Sequence, residues 1–384
     1  MINKFQEITE FIKSLYPNQN PVLLHAPVFL GKEKEYLCDC IDSTFVSYVG
    51  KYVAQFEEIT AKFAGAKYAV AIVNGTAALH VALQIAGVEY GDEVITQPLT
   101  FVATANAISH CGAKPVFVDV DLDTMGMSPE KLDGWLKKNV KIDSKTGKTY
   151  NHTTMLPISA IVPMHTFGFP CRIDDIIEIA DKFNIPVIED AAESLGSYYK
   201  GKHTGTFGIA GILSYNGNKT ITTGGGGMII TDNEDFARKA KHITTTAKLP
   251  HKYEFVHDVT AYNFRLTNIS AAIGVAQMEN ITTYLENKRE TALRYLTYFK
   301  NTEFNFFNEL ENSRSNFWLN SVILNNLKER NQFLNYTIDN GVMTRPIWRL
   351  MNKLEMYKNC QTGNLDNSLW LEEKVVNIPS GFRN

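Results

Sequence analysis

Three times between Tyr68 and Ser128 a short apolar run passes through a turn into a helical pattern, and this repeat constrains the fold more than any other feature. Tyr68-Ala-Val-Ala-Ile-Val73 is followed by Asn74-Gly75-Thr76 and a helical stretch from Ala77 to Ala86, closed by Gly87. Glu93-Val-Ile-Thr96 leads to a helix near Thr100 to His110, and Pro115-Val-Phe-Val-Asp119 to a helix from Ser128. Short apolar runs alternating with amphipathic helices predict buried parallel strands, each returned by a crossover helix. Ile158-Ser-Ala-Ile-Val162, an amphipathic helix from Arg172 to Phe183, and Ile185-Pro-Val-Ile-Glu-Asp190 continue the pattern. With Gly211–Tyr215 and Gly227–Thr231, about seven strands are predicted ahead of Asn268.

A chain of 384 residues exceeds what one core usually supports, so two domains are expected. Residues 31–268 form the expected large domain, entered through helices at Lys32–Ser43 and Tyr52–Phe63, the second stopped by Gly65. Beyond Asn268 the texture changes to the helical stretches Ser270–Gln277 and Ile281–Lys300 and then to alternating segments such as Asn316–Ile323, so residues 269–384 are expected to form a smaller α/β domain. Residues 1–30 are expected to fold back onto the core or onto a partner subunit. Asn139 to Met155, polar throughout, reads as an exposed excursion without chemistry.

A formal net charge of −3 gives no long-range attraction for nucleic acid or an anionic membrane, so any phosphate must be recognised locally. The five cysteines are scattered, with no Cys-x-x-Cys pair, which argues against a disulfide framework and against a metal site. Cys38 and Cys40 read as ordinary helix residues. The first residues lack the pattern of a secretory signal, and no apolar run reaches the length of a membrane span, so a cytoplasmic protein is expected.

Three features carry chemistry. Asn74-Gly75-Thr76-Ala77 sets backbone N–H groups and a hydroxyl at a helix N-terminus directly after a strand, which makes an anion site, although Thr76 could equally be a plain helix cap. Asp190 ends a buried strand, where ligands of open α/β sheets collect; a carboxylate there can hold a pyridine nitrogen protonated, or simply cap a turn. Glu193 follows in the next turn. Lys219 lies between Asn216-Gly-Asn218 and Thr220-Ile-Thr-Thr-Gly-Gly-Gly-Gly227, and a four-glycine run costs conformational entropy that a free loop has no reason to incur. The run fits neither nucleotide-binding glycine motif.

In this order along the chain, these residues resemble the DegT/StrS-type nucleotide-sugar aminotransferases over essentially the whole sequence. The matching motifs are Gly75-Thr76-Ala77-Ala78, Glu189-Asp190-Ala191-Ala192, the block from Ser214 through Lys219 to Gly225, and Tyr262-Asn263-Phe264-Arg265-Leu266. The resemblance implies the pyridoxal phosphate transferase fold type I, like aspartate aminotransferase, with a mostly parallel seven-stranded sheet and a smaller C-terminal α/β domain. It implies that Lys219 carries pyridoxal 5′-phosphate as a Schiff base and that the cofactor cycles through pyridoxamine phosphate. Asp190 would pair with the pyridine nitrogen and Glu193 would reach the phenolic oxygen. Gly75, Thr76, Ala77 and Ser214 would hold the phosphate, Phe101 would stack on the ring, and Asn216 would also bind the cofactor. Asn263 would reach the phosphate of the opposite subunit, implying a homodimer with shared sites. Many relatives carry Gln or His where this chain has Glu193, which leaves that residue's role open.

Finer similarity, in Phe11–Pro17, Pro163–Gly168, Asn216–Lys219 and Asn340–Ile347, points to the LegC-like subgroup. That implies amination by L-glutamate of a nucleotide-linked 4-keto-6-deoxy sugar, such as a UDP-linked 2-acetamido-4-keto-2,6-dideoxyhexose, toward bacillosamine- or legionaminic-acid-type glycans of the cell surface. His165, Arg265 and Arg345 are candidates for the donor carboxylate or the sugar pyrophosphate. Three alternatives compete. A sugar dehydratase on the same scaffold would carry histidine in place of Lys219, a cofactor-binding regulator lacks support from any DNA-binding extension, and a plain nucleotide-binding module predicts no chromophore.

Overall fold

A computed structural model describes residues 2–383. Its centre is a seven-stranded sheet made from β1 (Tyr68–Ile72), β2 (Glu93–Thr96), β3 (Lys114–Phe117), β4 (Ile158–Val162), β5 (Ile188–Asp190), β6 (Ala210–Ser214) and β7 (Gly227–Thr231). β3, β2 and β4 pair in parallel, and β5 pairs in parallel with β6. Parallel bridges between Ile161 and Val187 and between Met164 and Asp190 join the two groups. β7 runs antiparallel between β6 and β1, giving the order β3-β2-β4-β5-β6-β7-β1. Strand β5 is shorter than its apolar run because Pro186 has no N–H for a ladder; the Pro186 carbonyl instead accepts from Ile161 N at 2.9 Å.

Alternate strand residues face opposite layers, as the two-residue repeat requires. Val70, Ile72, Ile212 and Ile229 pack with Leu79, Val81 and Leu83 of helix α4 (Gly75–Ile85). Ala69, Ala71, Leu213, Met228 and Ile230 face Phe56 of α3 (Lys51–Ala64) and Ala271, Val275 and Met278 of α9 (Asn268–Glu279). Helices α2 (Glu33–Asp42), α5 (Val102–His110), α6 (Pro129–Asn139), α7 (Ile173–Lys182) and α8 (Glu234–Thr244) complete the large layer system. The polar excursion is not featureless: Val140–Ile142 and Thr149–Asn151 pair as an antiparallel hairpin, closed where Asp143 accepts the N–H groups of Lys145 and Thr146.

After α10 (Ile281–Phe299) come β8 (Asn305–Phe306), β9 (Asn320–Ile323), α11 (Leu327–Asp339), β10 (Arg345–Pro346), α12 (Asp366–Lys374) and β11 (Val375–Ile378), with a second sheet ordered β8-β9-β11-β10. The N-terminal helix α1 (Ile2–Leu15) lies against this second unit. Phe5, Ile8 and Ile12 pack with Tyr295, Phe304 and Phe333, and Lys4 Nζ meets Glu329 Oε1 at 2.7 Å. Because α9 buries its apolar face on α2 and α3, we propose that the two units divide at Asn280 rather than at 268.

Candidate active site

The parallel strands deliver their C-terminal ends to one cavity of about 600 Å³. The turn after β1 starts α4 there. Asn74 caps the helix by accepting from Ala77 N at 2.8 Å, and Gly75 and Thr76, whose first-turn amides have no acceptor within the helix, line the cavity. The turn sits hard against its neighbours. A Cβ on Gly75 would lie 3.2 Å from Ser214 Cβ, at the end of β6. A Cβ on Gly227 would lie 2.4 Å from the Asn74 carbonyl carbon. The last glycine of the four-glycine run is therefore a packing requirement beneath the anion turn, since β7 passes there with no room for a side chain.

Asp190 closes β5 with its side chain toward the cavity and only 5% of its surface exposed. Thr104 Oγ1 on α5 donates to its Oδ2 at 2.6 Å, and Ala192 N donates to its Oδ1 at 3.2 Å, so the carboxylate is fixed in orientation. Glu193 is buried one turn on, and its Oε2 accepts the N–H of Phe167 at 2.9 Å. Burial pushes the Glu193 carboxyl up to about 7, against the opposing pull of Lys219. Lys219 Nζ stands 3.2 Å from Glu193 Oε1 and 3.9 Å from the centre of the Trp318 ring. Trp318 also pins the lysine loop by donating its Nε1–H to Asn218 O at 2.7 Å.

Gly75, Thr76, Phe101, Asp190, Glu193, Ser214, Asn216, Lys219 and Arg345 all line this cavity. Four other candidates do not. Ala77 is buried, and its amide is taken by Asn74. His165 is fully buried beneath the sheet end: Nε2 bonds Glu189 Oε2 at 2.9 Å, and Nδ1 accepts from Cys171 N at 3.3 Å. Glu189 in turn accepts from the amides of Gly205, Phe207 and Gly208, so His165 belongs to a structural knot and not to a substrate contact. Arg265 donates to Glu57 Oε1 at 2.7 Å and ties α3 to the segment beside β1, which removes it from this chain's cavity. Asn263 is exposed, away from its own chain's cavity.

The structure adds residues that local patterns did not mark. Trp318, Trp348 and Arg349 line the cavity from the second unit, and Leu24 from the N-terminal strap. Trp348 and Arg349 directly follow the Asn340–Ile347 stretch singled out above, and Trp318 lies within the alternating segment before β9.

A lysine amine, a buried carboxylate fixed by a hydroxyl, a pair of helix amides beside a serine, and an aromatic wall fit one cofactor, pyridoxal phosphate. The fold and this set define a fold type I pyridoxal phosphate enzyme. The chain belongs to the DegT/DnrJ/EryC1/StrS aminotransferase family, which it matches over residues 30–383, and it is a pyridoxal phosphate-dependent aminotransferase. It is similar to the GDP-perosamine synthase of Escherichia coli O157:H7, 38% identical over 334 residues, covering 87% of this chain and 86% of that one. It is similar also to the GDP-perosamine synthase of Vibrio cholerae, 33% identical over 362 residues and 93% of each chain. Among solved structures, the aminotransferase from Psychrobacter cryohalolentis superposes with a TM-score of 0.81 at 29% identity, covering 92% of this chain and 93% of that one. Among the described residues, no helix is long and apolar enough to cross a membrane.

Proposed function

We propose that this enzyme transfers the amino group of L-glutamate to C4 of a nucleotide-linked 4-keto-6-deoxy sugar. The observation that carries the reading is the convergence of Lys219, Asp190, Gly75 and Thr76 on one cavity that two arginines, Arg345 and Arg349, also line. Neither arginine forms an ion pair among the described residues, so both are available to a diphosphate or a carboxylate. When bound, pyridoxal phosphate supplies an electron sink that weakens the C–H bond next to the reacting nitrogen. Lys219 Nζ would attach the cofactor and, once released, would move a proton between the substrate carbon bearing nitrogen and the cofactor carbon it had held, in opposite directions for the amino donor and the keto sugar. Asp190 keeps the pyridine nitrogen protonated. The Gly75 and Thr76 amides and the Ser214 hydroxyl hold the phosphate, and Phe101 covers the ring.

A homodimer completes the proposal, with Asn263 reaching the partner subunit's phosphate site. The exposed apolar residues Ile41, Phe45, Val46 and Val49 support such an interface. The relatives named as GDP-perosamine synthases favour a GDP-linked acceptor, whereas the LegC-like stretches favour a UDP-linked 2-acetamido sugar of a surface-glycan route. Incubating the enzyme with glutamate and a panel of UDP-, GDP- and dTDP-linked 4-keto sugars, with products read by mass and NMR, decides between them. Failure to aminate any member would overturn the reading.

A further inference from the structure

We infer that Glu193 is the base that takes the surplus proton from Lys219 when the lysine becomes a nucleophile, and that it keeps this proton while the lysine is attached. The inference rests on the reading of Lys219 as the attachment point and adds a second residue to that step. An ordinary lysine is protonated at neutral pH, with only on the order of one molecule in a thousand carrying a free lone pair. The proton therefore needs an acceptor within reach of Nζ, whose side chain is only 12% exposed.

Glu193 is built for that position. Its Oε1 is 3.2 Å from Nζ, while the Phe167 amide anchors Oε2 at 2.9 Å and the side chain is 1% exposed. The backbone of its turn is held as well, because Asn316 Nδ2 donates to Glu193 O at 2.9 Å. Nζ also lies 3.9 Å from the centre of the Trp318 ring, which offers no proton acceptor of its own. Asp190, the other carboxylate in the cavity, is occupied by Thr104 and Ala192. The titratable groups that bear on Glu193 are Lys219, which favours its charged form, and Asp190, which opposes it. Burial outweighs both, so this carboxyl gains a proton readily near neutrality. Two carboxylates in one site thus take different roles: Asp190 is held by Thr104 and Ala192, and Glu193 cycles.

The step balances. Lys219 gives one N–H proton to Glu193 Oε1. The freed lone pair forms the C–N bond to an aldehyde carbon, and the carbonyl oxygen leaves as water with the two protons remaining on nitrogen. No proton reaches the solvent. With glutamine at 193, the same attachment must expel one.

The test counts protons released when cofactor-free protein is mixed with pyridoxal phosphate, by calorimetry in two buffers of different ionisation enthalpy. Attachment removes the Lys219 charge that pulls the Glu193 carboxyl down, so the proton stays on Glu193 at about pH 8, where Glu193→Gln should release about one more proton per subunit than the native protein; at about pH 6, where Glu193 is already protonated, the difference should vanish. Glu193→Ala should behave as Glu193→Gln does, which guards against a single misfolded variant. Equal counts at both pH values overturn the inference. Absence of any absorbance band or borohydride-reducible adduct in the native protein would instead defeat the attachment reading, so the two failures are distinguishable.

Discussion

Replacing Gly227 by alanine tests whether the turn between β1 and α4 is the phosphate site. The new Cβ would stand 2.4 Å from the Asn74 carbonyl carbon, 2.5 Å from its oxygen and 2.7 Å from Gly75 N. All three are backbone atoms, so no side chain can swing aside and the turn itself must move by roughly an ångström, at a cost of about 1–3 kcal/mol for overpacking. That shift carries the Gly75 and Thr76 amides away from where they point. A hydrogen bond to a charged acceptor contributes about 1.5–3 kcal/mol, so losing one should weaken pyridoxal phosphate binding about 10- to 100-fold. Pyridoxal, which has no phosphate, should bind the variant as it binds the native protein. Parallel absorbance titrations with both ligands, alongside urea denaturation, supply the readout. Equal loss for the two ligands, or no loss for either, would refute the assignment of this turn to phosphate.

Thr104→Val removes the hydroxyl that fixes Asp190 Oδ2, and turnover should fall at least about tenfold for the loss of one charge-assisted hydrogen bond. Thr104→Ser should recover most of it in steady-state assays. Arg349→Ala should raise the KM of one substrate while leaving the absorbance of the bound cofactor unchanged, since Arg349 lines the cavity from the second unit and Lys219 is held by Glu193 and Trp318 instead. Lys288 is buried, donates to Trp318 O and Ser380 O, and has its pKa lowered to about 7 by burial. The unfolded chain therefore binds more protons than the native state between that value and the lysine's usual 10.5. The penalty is fully present below about pH 7 and relieved as pH rises, so this group should add about 2 kcal/mol of stability between about pH 7 and 9. Denaturation of Lys288→Met should lack that rise.

What could be read from the sequence is what neighbouring residues determine together. The β1–turn–α4 unit follows from an apolar run meeting Asn74-Gly75-Thr76, and the cavity position of Asp190 follows from its place at a strand end. Contacts between distant residues were not legible. Arg265 has no mark that predicts its partner Glu57, 208 positions earlier in the chain, and His165 has none that predicts burial against Glu189. Trp318, Trp348 and Arg349 come to the cavity from more than 90 positions beyond Lys219 in the chain, a contact no local pattern announces. The glycine run drew attention to the right place for an incomplete reason: Gly227 is required by the backbone it crosses, whereas the lysine loop is held by Trp318.

Whether Lys219 carries the cofactor is decided by a peptide map after borohydride reduction of the protein saturated with pyridoxal phosphate. One reduced adduct is expected, on the peptide containing Lys219, and none in Lys219→Ala, which should still bind the cofactor without a covalent link. An adduct on another lysine of the native protein, or catalytic transamination by Lys219→Ala, would contradict that role for Lys219.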